Sequence, residues 1–372
     1  MKLSILGVRG VPAQHGGFET FAEKLSLYLV AEGWKVSVYC QEYGEGDLWE
    51  SQWLGVRRIH IPTRRAGAVG TVIFDWKATR HALSQSGLFL TLGYNTAFFG
   101  SLQRITGQTN LINMDGIEWR RDRWGIVAKI WLWLNERAGC LVGNHLIADH
   151  PKIKEHLATR VHGGKITMIP YGADRVKEAD ISFLVPYGIR PHQYSIIIAR
   201  PEPENNLLEM VRAFSTWRRS HRLVVLGNLT PESNPYHRQV ISAASSEVLF
   251  LGAIYEPPVV QALRFFCRFY LHGHRVGGTN PSLVEGLGAG CAVIAHDNHF
   301  NRWVAGPGAV YFRDESDCAS VLDRVLGDAA ALEEMRAASL ARFHERFTWP
   351  NVLREYEELL SFWYPRENNE DG

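Results

Sequence analysis

The residues best suited to chemistry lie between Leu271 and Ala295, in LHGHRVGGTNPSLVEGLGAGCAVIA. Gly277, Gly278, Thr279 and Asn280 make a loop with little side-chain bulk, and Pro281 fits the first turn of a helix. Backbone N–H groups at a helix start lack intrahelical partners and sit at the positive end of its dipole. Such a loop favours an anion, typically phosphate. Ser282 stands at the same helix start and Glu285 one turn further in. A carboxylate beside a phosphate cradle suits a nucleotide diphosphate, since it accepts hydrogen bonds from two ribose hydroxyls.

Other residues compete for roles. Gly16-Gly17 follow the first strand, where their amides approach a phosphate or sugar closely or merely make a tight turn. Glu19, just beyond, reads as an acceptor contact or a helix-start charge. Arg200 ends an apolar strand; its guanidinium matches diphosphate oxygens, or pairs with Glu202 or Glu204. Asp115 and Glu118 follow another strand, where a carboxylate receives a sugar hydroxyl, or caps a helix and pairs with Arg120, Arg121 or Arg123. His272, His274, His296, Asp297 and His299 invite a metal, but spacing fixes no third ligand, so none is expected. His274 is instead read as a partner for a leaving phosphate.

The elements that position these residues alternate strand and helix. KLSIL (2–6), a helix over 18–33 and KVSVYC (35–40) make a βαβ unit, hence a parallel sheet. Further strands are expected at 56–61, 88–92, 110–114, 145–149 and 165–170, with helices near 72–85, 125–140 and 151–159. A second series runs 194–199, 222–227, 248–252, 269–273 and 291–295. Two doubly wound α/β domains follow, 1–172 and 173–347, the linker lying near 172–193. Residues 348–372 form an amphipathic helix crossing back to the first domain, then a polar tail.

At 372 residues, 46% apolar and 21% charged, the chain is a globular protein of two-domain size. Its net charge of +1 hides an asymmetry: 20 Lys/Arg against 14 Asp/Glu up to residue 172, and 20 against 25 after it. That basic bias is too mild for a nucleic-acid binder. Five scattered cysteines without a C-x-x-C pair suit a reducing cytoplasm. No window reaches the ~18 apolar residues of a membrane span. The segment 119–139, however, mixes four tryptophans with Arg120, Arg121, Arg123 and Lys129. It reads either as a core helix with a basic end or as a peripheral contact with an anionic membrane surface.

Taken together, GVRGVPAQHGGFET (7–20), NMDGIEWRRDRW (113–124), IADHPKIKEHL (147–157), MIPYGAD (168–174), ARPEPENNLLEMVRAF (199–214) and HGHRVGGTNPSLVEGLGAGCAVI (272–294) resemble the GT-B glycosyltransferases of family 4. Within them the resemblance is to the bacterial rhamnosyltransferase-like subgroup of capsule and O-antigen assembly. It implies two Rossmann-like domains facing across a cleft and closing over the donor, with an N-terminal acceptor domain and a C-terminal nucleotide-sugar domain. Donor contacts would be Gly16, Gly17, Arg200, 277–280, Ser282 and Glu285; acceptor contacts Glu19 and Glu118; and chemistry would fall to Asp115, His274 and Arg200. The implied reaction is retaining and metal-independent, needs no cofactor, and uses dTDP-rhamnose and a lipid-linked glycan at the cytoplasmic face of the inner membrane. Transfer of another hexose from a UDP- or GDP-sugar, epimerisation of a sugar nucleotide, and non-catalytic binding of one are the alternatives. Two positions depart from the family pattern. Gly277 stands where the first glutamate of an E-x7-E pair is expected, and Asn205 where a lysine follows Arg200. Arg9 and Arg275 are the candidates for the missing positive charge.

Overall fold

The structure, a computed structural model, describes residues 1–14 and 16–365, so the polar tail beyond Pro365 lies outside the described residues. It divides into two compact units: unit 1 comprises 1–119, 124–170 and 350–372, and unit 2 comprises 120–123 and 171–349.

Unit 1 runs β1 (Lys2–Leu6), α1 (Gly17–Ala31), β2 (Lys35–Tyr43), β3 (Trp49–Trp53), β4 (Val56–Thr63), α2 (Gly67–Ala82), β5 (Leu88–Leu92), α3 (Gly100–Ile105), β6 (Asn110–Asn113), α4 (Ile126–Val142), β7 (His145–Ala148), α5 (Pro151–Ala158) and β8 (Ile166–Met168). Its sheet has the order β3-β4-β2-β1-β5-β6-β7-β8, parallel except for the β3–β4 pair. KLSIL and LFLTL are near-continuous apolar runs because helices cover both faces of these central strands. The expectation lacked β3: WESQW is mostly polar and exposed, as an antiparallel edge allows.

Unit 2 runs β9 (Tyr194–Ile198), α6 (Leu207–Ser215), β10 (Arg222–Leu226), α7 (Pro235–Ser242), β11 (Val248–Gly252), α8 (Pro257–Phe265), β12 (Tyr270–His272), α9 (Pro281–Gly288), β13 (Val293–His296), α10 (His299–Ala305), β14 (Val310–Phe312), α11 (Glu315–Gly327) and α12 (Ala329–Arg346). All six strands are parallel, ordered β11-β10-β9-β12-β13-β14. Successive strand residues point to opposite faces, so Ile197, Val225, Leu271 and Ile294 enter one core, and Ile196, Val224, Tyr270 and Val293 the other. Strand β14 was absent from the expectation; three residues give no readable period.

The last helix, α13 (Trp349–Trp363), packs on unit 1 from Pro350 onward. Tyr356 is buried against Phe21, with ring centroids 4.6 Å apart, and its hydroxyl accepts Asn113 Nδ2 at 2.8 Å. Glu357 accepts the Tyr28 hydroxyl at 2.7 Å and Trp34 Nε1 at 3.3 Å.

Candidate functional site

In unit 2 the winding reverses between β9 and β12, and in doubly wound sheets ligands bind at such a reversal, outside the strand C-termini. Arg200 follows β9, and His274 and the 277–280 loop follow β12. Strand order thus brings together groups that lie more than seventy positions apart in the chain. Gly273 makes the close approach possible, since a Cβ there would stand 2.3 Å from the Asn205 carbonyl oxygen. His274 is fixed through its carbonyl, which accepts Asn298 Nδ2 at 3.0 Å and Asn301 Nδ2 at 2.9 Å. Its ring stacks on His272 at 4.3 Å with the planes 9° apart. Burial first, then His272, Arg121 and Arg200, hold the His274 pKa far below the usual range. His272 is pushed down to about 3 by burial and His296. Both rings are therefore neutral at pH 7, and His274 offers a hydrogen bond without a charge. Among the described residues no group of three or more His, Cys, Asp or Glu is arranged to hold a metal ion.

The start of α9 refines the expected phosphate cradle. Pro281 has no N–H, Ser282 N donates to Asn280 Oδ1 at 3.0 Å, and Leu283 N and Val284 N both reach the Asn280 carbonyl. The first turn is thus already capped, and an anion is left to the loop around 277–280. Gly277 has φ +142° with open space where a Cβ would lie, so only backbone conformation, and not crowding, selects glycine here. A glutamate at 277 would therefore be strained. Ser282 is turned inward, its hydroxyl 2.9 Å from the Tyr270 hydroxyl and accepting Arg264 Nη2 at 3.1 Å. Glu285 is half-buried and pairs with the buried Arg264 at 2.5 Å. Arg264 carried no signal in the sequence, as it arrives from α8. Arg200 is exposed, and Glu204 pairs with Arg121 at 3.3 Å.

In unit 1 the corresponding reversal lies between β1 and β5. Gly16, at φ +98°, precedes α1, and Gly17 is its first residue. Glu19 is buried and accepts the Gln14 N–H at 3.1 Å, while Glu23 accepts the Ala13 N–H at 2.6 Å. These carboxylates brace the 7–17 loop from behind. Arg9 is exposed on that loop in unit 1, and Arg275 lies in unit 2. Asp115 sits in the left-handed region at φ +50°, its N–H donating to Asn113 Oδ1 at 3.0 Å. Asn113 is in turn held by Tyr356, so α13 sets the Asp115 conformation. Glu118 is buried and donates its N–H to the Tyr94 hydroxyl at 2.8 Å. Behind it Glu136, 1% exposed, accepts Trp119 Nε1 at 2.8 Å and His156 Nε2 at 3.0 Å, with Arg160 Nε 2.8 Å away. Burial alone would raise its pKa, but these hydrogen bonds outweigh that and hold it low.

Helix α4 is not a core helix. It buries Leu132, Asn135, Glu136, Gly139 and Cys140 and exposes Ile126, Val127, Ile130, Trp131, Trp133 and Leu134. Val127 is 78% exposed and Phe98, whose N–H donates to Asn135 Oδ1, is 62% exposed. Arg137 lies over the Trp133 ring at 3.3 Å. A helix that turns its amide and carboxylate inward and its apolar side outward presents a face suited to being covered. No helix among the described residues is long and apolar enough to cross a membrane.

Residues 1–174 match a family model described only as a domain of unknown function, DUF1972. No curated protein matches. Solved structures do. Sucrose-phosphate synthase from Thermosynechococcus elongatus is 15% identical with a TM-score of 0.79, covering 97% of this chain and 98% of that one. HepE of Anabaena, solved with UDP and glucose, is 14% identical with a TM-score of 0.75, over 97% and 99%. A UDP-forming α,α-trehalose-phosphate synthase from Burkholderia vietnamiensis is 12% identical with a TM-score of 0.72, over 97% and 99%. At these identities the likeness establishes the fold, which is GT-B, as the sequence led us to expect.

Proposed function

We propose that this chain is a retaining glycosyltransferase that moves a sugar, L-rhamnose from dTDP-rhamnose in our reading, from a nucleotide sugar to a lipid-linked glycan of the cell surface. The observation that carries the transferase reading is the convergence of Arg200, His274 and the 277–280 loop at the strand reversal of unit 2, on a fold shared with HepE, which was solved with UDP. The rhamnose and its carrier rest on the resemblance of the motifs alone.

In this reading unit 2 binds the donor. Amides of the 277–280 loop and Arg200 take the diphosphate, and Glu285, oriented by Arg264, takes the ribose. Unit 1 binds the acceptor through the 16–17 loop and Asp115. The acceptor oxygen bonds to the anomeric carbon on the face from which the diphosphate leaves. The C–O bond to phosphate breaks, and the acceptor proton passes to the departing phosphate oxygen. Neutral His274 donates a hydrogen bond to the charge growing on that oxygen, and Arg200 stabilises it further. Fixed donors aimed at a developing charge supply the rate enhancement, with no metal needed.

Thermal stabilisation by dTDP-rhamnose, UDP-glucose, GDP-mannose and the bare diphosphates, with EDTA and then magnesium, tests the donor site. One sugar nucleotide and its own diphosphate should stabilise the protein in EDTA, and Glu285→Ala should remove the shift. No shift with any nucleotide would sink the transferase reading. Donor conversion that needs no acceptor would indicate an epimerase. The exposed face of α4 is proposed as the contact with the membrane carrying the acceptor. The vesicle affinity, read by sedimentation with phosphatidylglycerol vesicles, should fall about thirtyfold in an Ile130→Ser, Leu134→Ser variant, since each lost contact is worth roughly 1 kcal/mol.

A further inference from the structure

Between Trp119 and Trp124 the chain gives four residues, Arg120–Arg123, to unit 2. Their anchor is Glu204. It is 2% exposed, yet its carboxylate accepts Arg121 Nη1 at 3.3 Å and the Asp122 N–H at 3.0 Å. Its carbonyl accepts the Arg275 N–H at 3.0 Å. The Arg275 guanidinium reaches the Pro203 carbonyl at 3.4 Å and stands 3.9 Å from the Asp122 carboxylate. Arg275 is thus spread along the outside of this strap, 45% exposed, whereas Arg121 is 12% exposed.

Asn205 occupies the position where a lysine was expected. It is buried and donates Nδ2 to the Arg200 carbonyl at 2.8 Å, so it shapes the loop and brings no charge. The loop after β9 then carries one cation of its own, Arg200. A diphosphate needs more than one. Arg121 is the second guanidinium within electrostatic reach of the ring that follows β12, since its charge and that of Arg200 both depress His274. An ion pair as enclosed as Arg121–Glu204 loses most of its Coulomb gain to desolvation, so stability is a weak reason for it to exist. Holding a planar fork of donors in one orientation is a better one.

We propose that Arg121 is a diphosphate-binding residue of unit 2, delivered by the 119–124 strap and positioned by Glu204, in the electrostatic role that a lysine at 205 would fill. This rests on the donor-site reading above. It also assigns the WRRDRW motif a donor function in addition to the carboxylates beside it.

Titration calorimetry of the full chain with UDP, dTDP and GDP, and with the matching monophosphates, tests the assignment. Wild type should prefer a diphosphate over its monophosphate. Arg121→Gln should cut that preference about tenfold, as for one charge-assisted hydrogen bond, while leaving the monophosphate affinity within about twofold. Glu204→Gln should shift the preference in the same direction by less. If Arg121→Gln does not fold, Arg121→Lys serves, with a smaller drop because the charge stays but the fork is lost. An unchanged preference, or an equal loss of both nucleotides as a structural role would give, overturns the assignment and leaves the donor site standing. A wild type that binds no diphosphate removes both.

Discussion

The two units share a winding scheme and differ in how their loops are held. In unit 2 the candidate groups are locked from within the same unit: Asn280 caps α9, Arg264 holds Glu285, and Asn298 and Asn301 hold His274. In unit 1 the loop carrying Asp115 is braced from the far end of the chain, through Tyr356 of α13, and from below by Glu136. Unit 1 also presents the apolar side of α4, with six exposed apolar residues between Ile126 and Leu134, whereas unit 2 exposes Ile181 and Val185 on one short turn, and Trp217 and Tyr255 far from them in sequence. One architecture therefore hosts candidate groups held by short contacts within one unit, two neutral histidines among them, and a candidate carboxylate borne on a loop, which shows how little the fold alone decides.

The largest test of this contrast is Glu136→Ala. It strands Trp119 Nε1, His156 and Arg160 around a buried gap, and about 3–5 kcal/mol should be lost. Hydrogen exchange should show the loss in unit 1, with the amides of β9, β10 and β12 unchanged; equal deprotection of both units would erase the distinction.

Acidity should act on the two units with opposite signs. In unit 1 a cavity of about 60 Å³ is lined by Asp75, Thr91, Thr96 and Asn110. Burial pushes Asp75 up to about 6, against the hydrogen bond from Thr96 Oγ1 at 2.7 Å. A raised carboxyl contributes stability that is full below pH 4 and lost as pH rises through 6. Asp75→Asn should accordingly stabilise by about 2–3 kcal/mol at pH 7 and not at all at pH 4, read from urea unfolding at each pH. In unit 2, burial depresses His272 to about 3 and His221 to about 4. Their contribution is present above pH 6.5 and falls as pH drops toward those values. Amides of β9 and β12 should lose protection between pH 6.5 and 4, and retention there would contradict neutral, enclosed rings.

The smallest effect is expected from Tyr356→Phe, which removes one neutral hydrogen bond to Asn113, about 1 kcal/mol. Turnover should drop further than stability, because the Asn113–Asp115 hydrogen bond depends on that contact. A stability loss with unchanged turnover would separate α13 from the site.

Much of this was legible in the residues. Apolar runs such as YSIII and RLVVL lie on buried central strands, and helical periodicity marked α1 and α13 within a few residues. Of the four edge strands, β8 and β11 were legible as apolar runs and β3 and β14 were not: WESQW has a polar, exposed surface, and VYF is too short for a period. Among site residues, Arg200, His274 and the 277–280 loop stood out by residue type and by their place after apolar strands. Arg264, Glu204 and Arg121 did not, because an arginine or glutamate reads the same in sequence whether solvated or enclosed.

The sequence by itself determined the alternation of strand and helix, the glycine loop and its Pro281 start, and the absence of a lysine at 205. These are local properties of residue type and spacing. The tertiary structure decided which loops meet, because strand order and not chain order places β12 beside β9. It decided that α4 turns Glu136 inward and Leu134 outward, against the pattern a helix period alone suggests. It also decided that Arg121 is held by Glu204, eighty-three positions away, since charges pair by distance in space and burial sets what that pairing is worth.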